Sequence, residues 1–423
     1  MIFKNSVLLA VFSILSVLLG IFRDRLLSTI VGIGPVLDTY NAAFRIPDFL
    51  YALSLAFVTS GTVVPFLTVE DRKGHIVDAR HKLSSISLFF AGVISLLGIV
   101  LAITLPLYAH FIVPGFTESQ TETFISITRI MLVQPALLGL TSLISCFAQL
   151  KNHFILYGVA PLGYSLGIIG GIVFLYPIYG VHGLIYGVIL GAVISLCIQL
   201  FSLRKARMFD VFPYFAFSDV KDLLRTGFPR TGVNVLTQVR VVFFTAFATT
   251  LGPGVLSSYL FAQRVTDAVT QIIQQSVTTA SIPVLSKEFV EGRIHQYRQL
   301  VKKYVTILGA VGVAVACVVY ILDDIIVRVL YGVTSYHEVI IFFLYGFLIA
   351  LPFTMMVGYF SISFYSMKDT KSVLLSNVLA TIIAITVSYM TWGKGNISLV
   401  YGVVSMTVSN FLLLWFMYSR KKM

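Results

Sequence analysis

Charge is what this sequence has least of: 11% of its 423 residues are Asp, Glu, Lys or Arg, where a soluble domain carries about a quarter. With 57% hydrophobic residues and a mean hydropathy of +0.93, such a chain would expose large apolar patches in water and aggregate. Soluble classes are excluded. Cysteine is equally sparse. Cys146, Cys197 and Cys317 lie far apart inside apolar runs, so they read as packing residues and not as a disulfide framework or a metal set. P-loop and metal-ligand motifs are missing, and the seven histidines are scattered. No cofactor is expected. The longest polar loop, about 204–222, is too short to fold alone. What the chain has in excess is apolar runs and, against them, a net charge of +12.

A helix needs about 20 apolar residues to cross a hydrocarbon core of roughly 30 Å. Such runs fall near 6–22, 38–67, 83–105, 121–149, 155–176, 181–203, 227–250, 254–285, 299–322, 337–366, 372–392 and 397–418. The pattern predicts an all-α polytopic membrane protein with twelve transmembrane helices. The first run follows Lys4 but lacks a small-x-small cleavage site and ends at Arg23-Asp24-Arg25. It reads as a span and not as a removable signal.

With the N-terminus inside, the cytoplasmic loops hold Lys4; Arg72, Lys73, Arg80, Lys82; Lys151; Arg204, Lys205, Arg207, Lys221, Arg225; Lys287, Arg293, Arg298, Lys302, Lys303; Lys368, Lys371; and Arg420, Lys421, Lys422. That is 21 of the 30 basic residues. Outer loops beyond the first hold only Arg328 and Lys394. The positive-inside rule places both termini in the cytoplasm of a plasma (inner) membrane. Anionic lipid explains the basic loops more simply than nucleic acid does.

Seven arginines remain, at or within the spans: Arg23, Arg25, Arg45, Arg129, Arg230, Arg240 and Arg264. A guanidinium at bilayer depth costs at least about 2.5–3.5 kcal/mol and normally faces a partner or a cavity. Arg129 and Arg230 are placed to snorkel. The other five carry the chemistry of the sequence.

The second half repeats the first. Gly34-Pro35 recurs as Gly252-Pro253, and Tyr40, Arg45 and Asp48 recur as Tyr259, Arg264 and Asp267. Pro65, Glu70, Gly74 and Arg80 recur as Pro283, Glu288, Gly292 and Arg298 after a one-residue indel. Six spans per half give both halves one orientation, hence two pseudo-symmetric six-helix lobes about an axis along the membrane normal, with cargo in a central cavity. The lobes are 1–203 (helices 1–6) and 227–423 (helices 7–12), joined by a cytoplasmic linker, 204–226. Arg45 and Arg264 each have an aspartate three residues on, which permits an intrahelical ion pair hiding the arginine from lipid. The alternative, favoured here, is that the guanidinium groups face each other across the cavity, where Arg23 and Arg25 add charge and bidentate forks suit phosphate oxygens. Asp24, Asp48, Arg240 and Asp267 are secondary candidates.

At these residues the chain resembles the MurJ/MviN type of lipid II flippase, within the multidrug/oligosaccharidyl-lipid/polysaccharide exporter superfamily. The resemblance rests on Gly20-Ile-Phe-Arg-Asp-Arg25, Gly34-Pro-Val-Leu-Asp38-Thr-Tyr and Ala43-Phe-Arg-Ile-Pro47-Asp. Leu150-Lys-Asn-His-Phe, Ala160-Pro-Leu, Ala262-Gln-Arg264, Ile282-Pro-Val-Leu-Ser-Lys287 and Met367-Lys-Asp-Thr-Lys371 extend it over nearly the whole chain. It implies alternating access and transfer of a polyprenyl-pyrophosphate-linked glycan from the inner to the outer leaflet, by a carrier that is not an enzyme and works as a monomer. It also implies that Arg23 and Arg264 are cavity arginines and that Asp38 is a functional aspartate. Asp38 has a second reading as a helix N-cap beside Thr39.

Three features depart from that pattern. Val17 and Tyr51 stand where the family has arginines, with Arg25 and Arg45 available to replace the charge. Many members have fourteen helices, where twelve are expected here. Sodium coupling lacks an acidic ligand, since spans 7, 11 and 12 hold no Asp or Glu and offer only Asn234 and Asn377; the membrane potential could act without such a site. Rival functions are another lipid-linked oligosaccharide or O-antigen-type flippase, and a cation-coupled multidrug exporter. A membrane glycosyltransferase would need a clustered acidic or histidine site that the sequence does not display.

Overall fold

The computed structural model describes residues 2–58, 76–150, 154–205, 213–218, 220, 231–332 and 334–421. Among them every regular element is helical. Arg72, Lys73, Lys151, Arg207, Lys221, Arg225, Arg230 and Lys422, and the repeat positions Pro65, Glu70 and Gly74, lie outside the described residues. The chain forms two compact units, Met1–Ala246 and Phe247–Met423.

In the first unit, α1 (Ile2–Leu26) runs into a π-helical turn, Leu27–Val31, that ends at Gly32 with φ +81°. The sequence explains the turn. Ser28 and Thr29 hydroxyls both donate to the Arg25 carbonyl at 2.8 Å, crowding the acceptor of the ordinary i→i+4 ladder. Next, α2 (Pro35–Ala43) starts with proline in its first turn, where the missing N–H costs nothing. It ends at Phe44, and α3 (Arg45–Val58) follows. The run expected to be one span over 38–67 is therefore two helices in its described part. Pro47 has no N–H for the Ala43 carbonyl and its ring crowds that oxygen, which breaks the helix.

The helix α4 (Ile76–Ile112) has 37 residues, about 55 Å at 1.5 Å per residue, so its first turns project beyond the hydrocarbon. There Tyr214 N–H donates to Ser84 Oγ (2.9 Å), Ala216 N–H donates to Ser85 Oγ (3.0 Å), and Tyr214 stacks on His81. The described part of the linker is thus bound along α4. A Thr117–Gln120 capping box opens α5 (Glu118–Met131), followed by α6 (Gln134–Leu150). After α7 (Phe154–Gly170) come a second π turn, Gly171–Leu175, the short α8 (Tyr176–Tyr179) and α9 (Val181–Lys205). Glycines 167, 171, 183, 187 and 191 form a seam along which α9 meets α7 and the second π turn, backbone on backbone: a Cβ on Gly171 would lie 2.5 Å from Gly187 Cα. Membrane helices associate through such close contact, since lipid supplies no hydrophobic drive. Ser195 Oγ ties the pair further by donating to the Ala160 carbonyl at 2.8 Å. The last helix, α10 (Thr231–Thr249), contains the boundary between the units.

The second unit contains α11 (Val255–Val290), α12 (Ile294–Ile321), α13 (Asp323–Tyr331), α14 (His337–Ser366), α15 (Thr370–Met390) and α16 (Ile397–Arg420). Its centre is α14, which packs on α11, α12 and α16. Two of its buried tyrosines are anchored across helices: Tyr297 Oη donates to the Ser363 carbonyl at 2.6 Å, and Tyr331 Oη to that of Phe261 at 2.8 Å.

Eight helical stretches among the described residues are long and apolar enough to cross a membrane: His81–Ile112, Glu118–Cys146, Phe154–Tyr179, Val181–Phe201, Ile294–Ile321, His337–Ser366, Thr370–Met390 and Ile397–Arg420. The chain is a multi-pass membrane protein.

Candidate functional site

The break after α1 and the break at Phe44 bring polar residues of α1, α2 and α3 against α6 and α7. Arg23, in the last turn of α1, pairs with its neighbour Asp24: Nη2 lies 2.9 Å from Asp24 Oδ1, and Nε donates to the same oxygen at 3.0 Å. Asp24 is 6% exposed. Tyr40 of α2 and Tyr164 of α7 lie within electrostatic reach of the guanidinium. Tyr164 also feels Asp48 and Tyr51 of α3, and its hydroxyl accepts a 2.9 Å hydrogen bond from Gln134 Nε2 of α6. Tyr51 Oη is 3.0 Å from Ser142 Oγ, again on α6. Five helices thus converge on one polar cluster inside an apolar bundle.

Of the residues singled out by sequence, Arg23, Asp24 and Asp48 meet in this cluster. Arg25 stands two residues from Arg23 and is half-buried, with its carbonyl held by Ser28 and Thr29. Arg45 opens α3 and is half-buried. Asp38 is buried at 2% exposure, in the first turn of α2. It is not the N-cap: Gly34 occupies that position, without a side-chain cap, and Thr39 Oγ1 donates to the Pro35 carbonyl. Arg240 is half-buried on α10.

In the second unit Arg264 is half-buried on α11, its guanidinium carbon 5.5 Å from the centre of the Phe261 ring. That ring stacks on Tyr331 at 4.4 Å and 12°, so the cation sits on an aromatic shelf. Asp267, one turn on, is exposed.

Gln134 and Tyr164 were not singled out by sequence reading, and Tyr51 entered only as a departure from the family pattern. The available signal was weak: a glutamine before Pro135 inside an apolar run, and a tyrosine among the glycines of α7. Gln134 is 3% exposed, and its Oε1 accepts no hydrogen bond from the protein. Chemically, the cluster offers a cation already neutralised by a carboxylate, and phenolic hydroxyls. That arrangement suits an anion ringed by hydroxyls and contains no nucleophile–base pair.

A family model described as Lipid II flippase MurJ matches residues 27–423. A Burkholderia cenocepacia protein named Lipid II flippase MurJ is 28% identical over 308 residues, 68% of this chain and 58% of that protein. The chain thus matches well under two thirds of that relative's length. Among solved structures, one titled Lipid II flippase MurJ, inward closed conformation, superposes with a TM-score of 0.81 at 20% identity, covering 98% of this chain and 87% of the other. An inward-facing multidrug resistance MATE family transporter of the MOP superfamily gives 0.76 at 17% identity, covering 96% and 94%.

Proposed function

The chain belongs to the lipid II flippase MurJ family, and we propose that it moves a polyprenyl-pyrophosphate-linked glycan, lipid II above all, from the inner to the outer leaflet. The family and its solved neighbours are transporters, and the chain acts without covalent chemistry. The observation that carries this reading is the Arg23–Asp24 pair with Tyr40 and Tyr164 close by, the Tyr164 hydroxyl held in turn by Gln134, within apolar helices. A pyrophosphate is the stronger bidentate partner for a guanidinium. It takes Arg23 from Asp24, which releases the carboxylate to the tyrosine hydroxyls. Arg25, Arg45 and Arg264 add charge for the headgroup, with Asp38 positioning the first lobe's set. The prenyl tail stays in the bilayer.

Twelve spans in two six-helix lobes, both termini cytoplasmic, complete the reading. The loop charges support that orientation, and the twofold recurrence of Gly-Pro, Tyr, Arg and Asp supports the lobes. Alternating access of the lobes exposes the held headgroup first to the cytoplasm and then outside, and a monomer suffices for it.

Purified protein in liposomes should transfer a fluorescent polyprenyl-pyrophosphate glycan between leaflets, and Arg23→Ala or Arg264→Ala should abolish transfer without loss of folded protein. Unchanged transfer in both variants overturns the arginine reading. Export of cationic dyes with proton or sodium dependence replaces it with a drug exporter.

A further inference from the structure

Arg129 stands in an apolar span, and among the described residues no carboxylate pairs with it. Its guanidinium makes one hydrogen bond to the protein, from Nε to the Ala102 carbonyl of α4 at 3.0 Å. Pro106 explains that bond, because it has no N–H to give to the carbonyl four residues back. Arg129 thus closes a gap in the α4 ladder with one of its five donors. Both Nη groups remain uncommitted on an exposed side chain.

Glu122, Ser126, Arg129 and Val133 recur at i, i+4, i+7 and i+11 of the Glu118–Cys146 stretch, and all four are exposed. They form one outward helical face. Arg129 ties that face to α4, and Ser126 ties it to α9, its Oγ lying 3.0 Å from His182 Nε2. The face therefore looks out between α4 and α9. Its flanks are exposed and apolar, with Ile103 and Leu107 on α4 and Tyr186 and Leu190 on α9, as a surface against lipid must be. Glu122, like Arg129, makes no ion pair among the described residues. The two are two turns apart, about 10 Å along the axis, too far to neutralise each other directly.

We propose that this face binds an aminophospholipid, its phosphate on the Arg129 Nη groups, its ammonium on Glu122, and its acyl chains along Val133, Tyr186 and Leu190. The order of charge carries the assignment. In phosphatidylethanolamine the phosphate lies nearer the hydrocarbon and the ammonium nearer water; α5 offers a cation deeper in the span and a carboxylate nearer its polar first turn, where Glu118 is a second exposed acid. A guanidinium fork suits phosphate oxygens. Ser126 and His182 stand between the two charges, and whichever donates to the other, one donor of the pair remains for the headgroup. An anionic lipid without an ammonium would meet both acids. The leaflet is the one beside the first turns of α5, the outer leaflet in the orientation proposed above, and the site shares no residue with the cluster around Arg23.

The test is photolabelling of the full-length protein in phosphatidylcholine nanodiscs with a phosphatidylethanolamine carrying an acyl-chain diazirine, mapped by mass spectrometry. Both leaflets carry the probe, so the result does not depend on which way the chain is inserted. Labelled peptides should fall on 122–133 and 182–193. Unlabelled phosphatidylethanolamine should compete about fivefold better than phosphatidylglycerol, as one exposed charge contact predicts. Arg129→Gln keeps an amide donor for the Ala102 carbonyl and should cut labelling there about tenfold, the loss of a charge-assisted hydrogen bond. Glu122→Lys changes an exposed residue with no ion pair to lose; it should leave the melting temperature unchanged and make phosphatidylglycerol the better competitor. Labelling spread evenly over the lipid-facing helices and unaffected by Arg129→Gln overturns the proposal. So does equal competition by the two lipids against the native protein, or an unchanged preference in Glu122→Lys.

Discussion

The two units share a recurring set of residues, Gly-Pro, Tyr, Arg and Asp, and pack it in different ways. Where the first breaks its helices at Leu27–Val31, at Phe44 and again at Gly171–Leu175, the second runs α11 unbroken for 36 residues through the corresponding Tyr259, Arg264 and Asp267. The repeat explains part of this. Pro47 follows Arg45 by two residues, whereas Thr266 follows Arg264 by two and keeps its N–H. The π turns also touch each other in space, so the interruptions lie together. Their consequence is chemical: broken helices let side chains of α1, α2, α3 and α6 converge on Tyr164 of α7, while the continuous α11 leaves Arg264 on an aromatic shelf. Repetition conserves charge positions, and local backbone grammar decides what surrounds them.

The contrast can be broken most forcefully at the glycine seam. Gly187→Ala sets a methyl against the Gly171 backbone, where no rotamer change can give way. We expect a cost near or above the upper end of the usual overpacking range of about 1–3 kcal/mol, seen as a large fall in melting temperature in detergent. Next in size is Asp24→Asn, which removes the countercharge of a partly buried guanidinium. Breaking such a pair costs about 3–5 kcal/mol when fully buried; Arg23 keeps 22% side-chain exposure, so about 2 kcal/mol is expected. The same variant frees Arg23 for pyrophosphate. Headgroup affinity should therefore rise as stability falls, and an unchanged affinity would count against the exchange of partners at Arg23.

In the second unit the matching glycine test is milder. A methyl on Gly358 meets the far end of Gln274, which can swing aside by giving up its 3.2 Å bond to the Thr354 carbonyl. The expected loss is about 1 kcal/mol, and a larger loss would show that α11 and α14 are as tightly seamed as α7 and α9. Smallest of all is the pH response of the turn after α11. Hydrogen bonds from Arg293, at 2.6 and 2.8 Å, hold the Glu288 carboxyl below the usual carboxylate range. Stability from this pair is complete above an ordinary pKa of about 4.3 and is lost as pH falls through the lowered folded value. Melting temperature should be flat from pH 8 to 5 and decline below about pH 4, with Arg293→Ala shallowing that acid limb slightly.

Much of this protein was legible because membrane spans obey a length rule and a charge rule that act on the sequence directly. The apolar runs predicted helices at 83–105, 299–322 and 397–418, and helices stand there. Arg23, Asp24 and Asp48 were visible as charges in apolar surroundings, which solvation makes costly anywhere in a bilayer. Gln134 and Tyr164 were not, because an uncharged polar side chain in a span is tolerated on many helices and acquires meaning only from its neighbour. The N-cap reading of Asp38 failed for a related reason. Gly34-Pro35 starts α2 earlier, and the start of a helix depends on which of several nearby candidates the chain uses.

Composition and periodicity by themselves determined the solvent and the helical class, since both follow from transfer free energies read residue by residue. Tertiary structure alone decided that Tyr164 and Gln134 stand beside the Arg23–Asp24 pair, and that small residues close α7 on α9 tightly while Gly358 of α14 meets only the end of Gln274. Those outcomes depend on which helix stands opposite. A glycine facing a glycine becomes a seam, and a glycine facing the end of a glutamine becomes a contact that can give way.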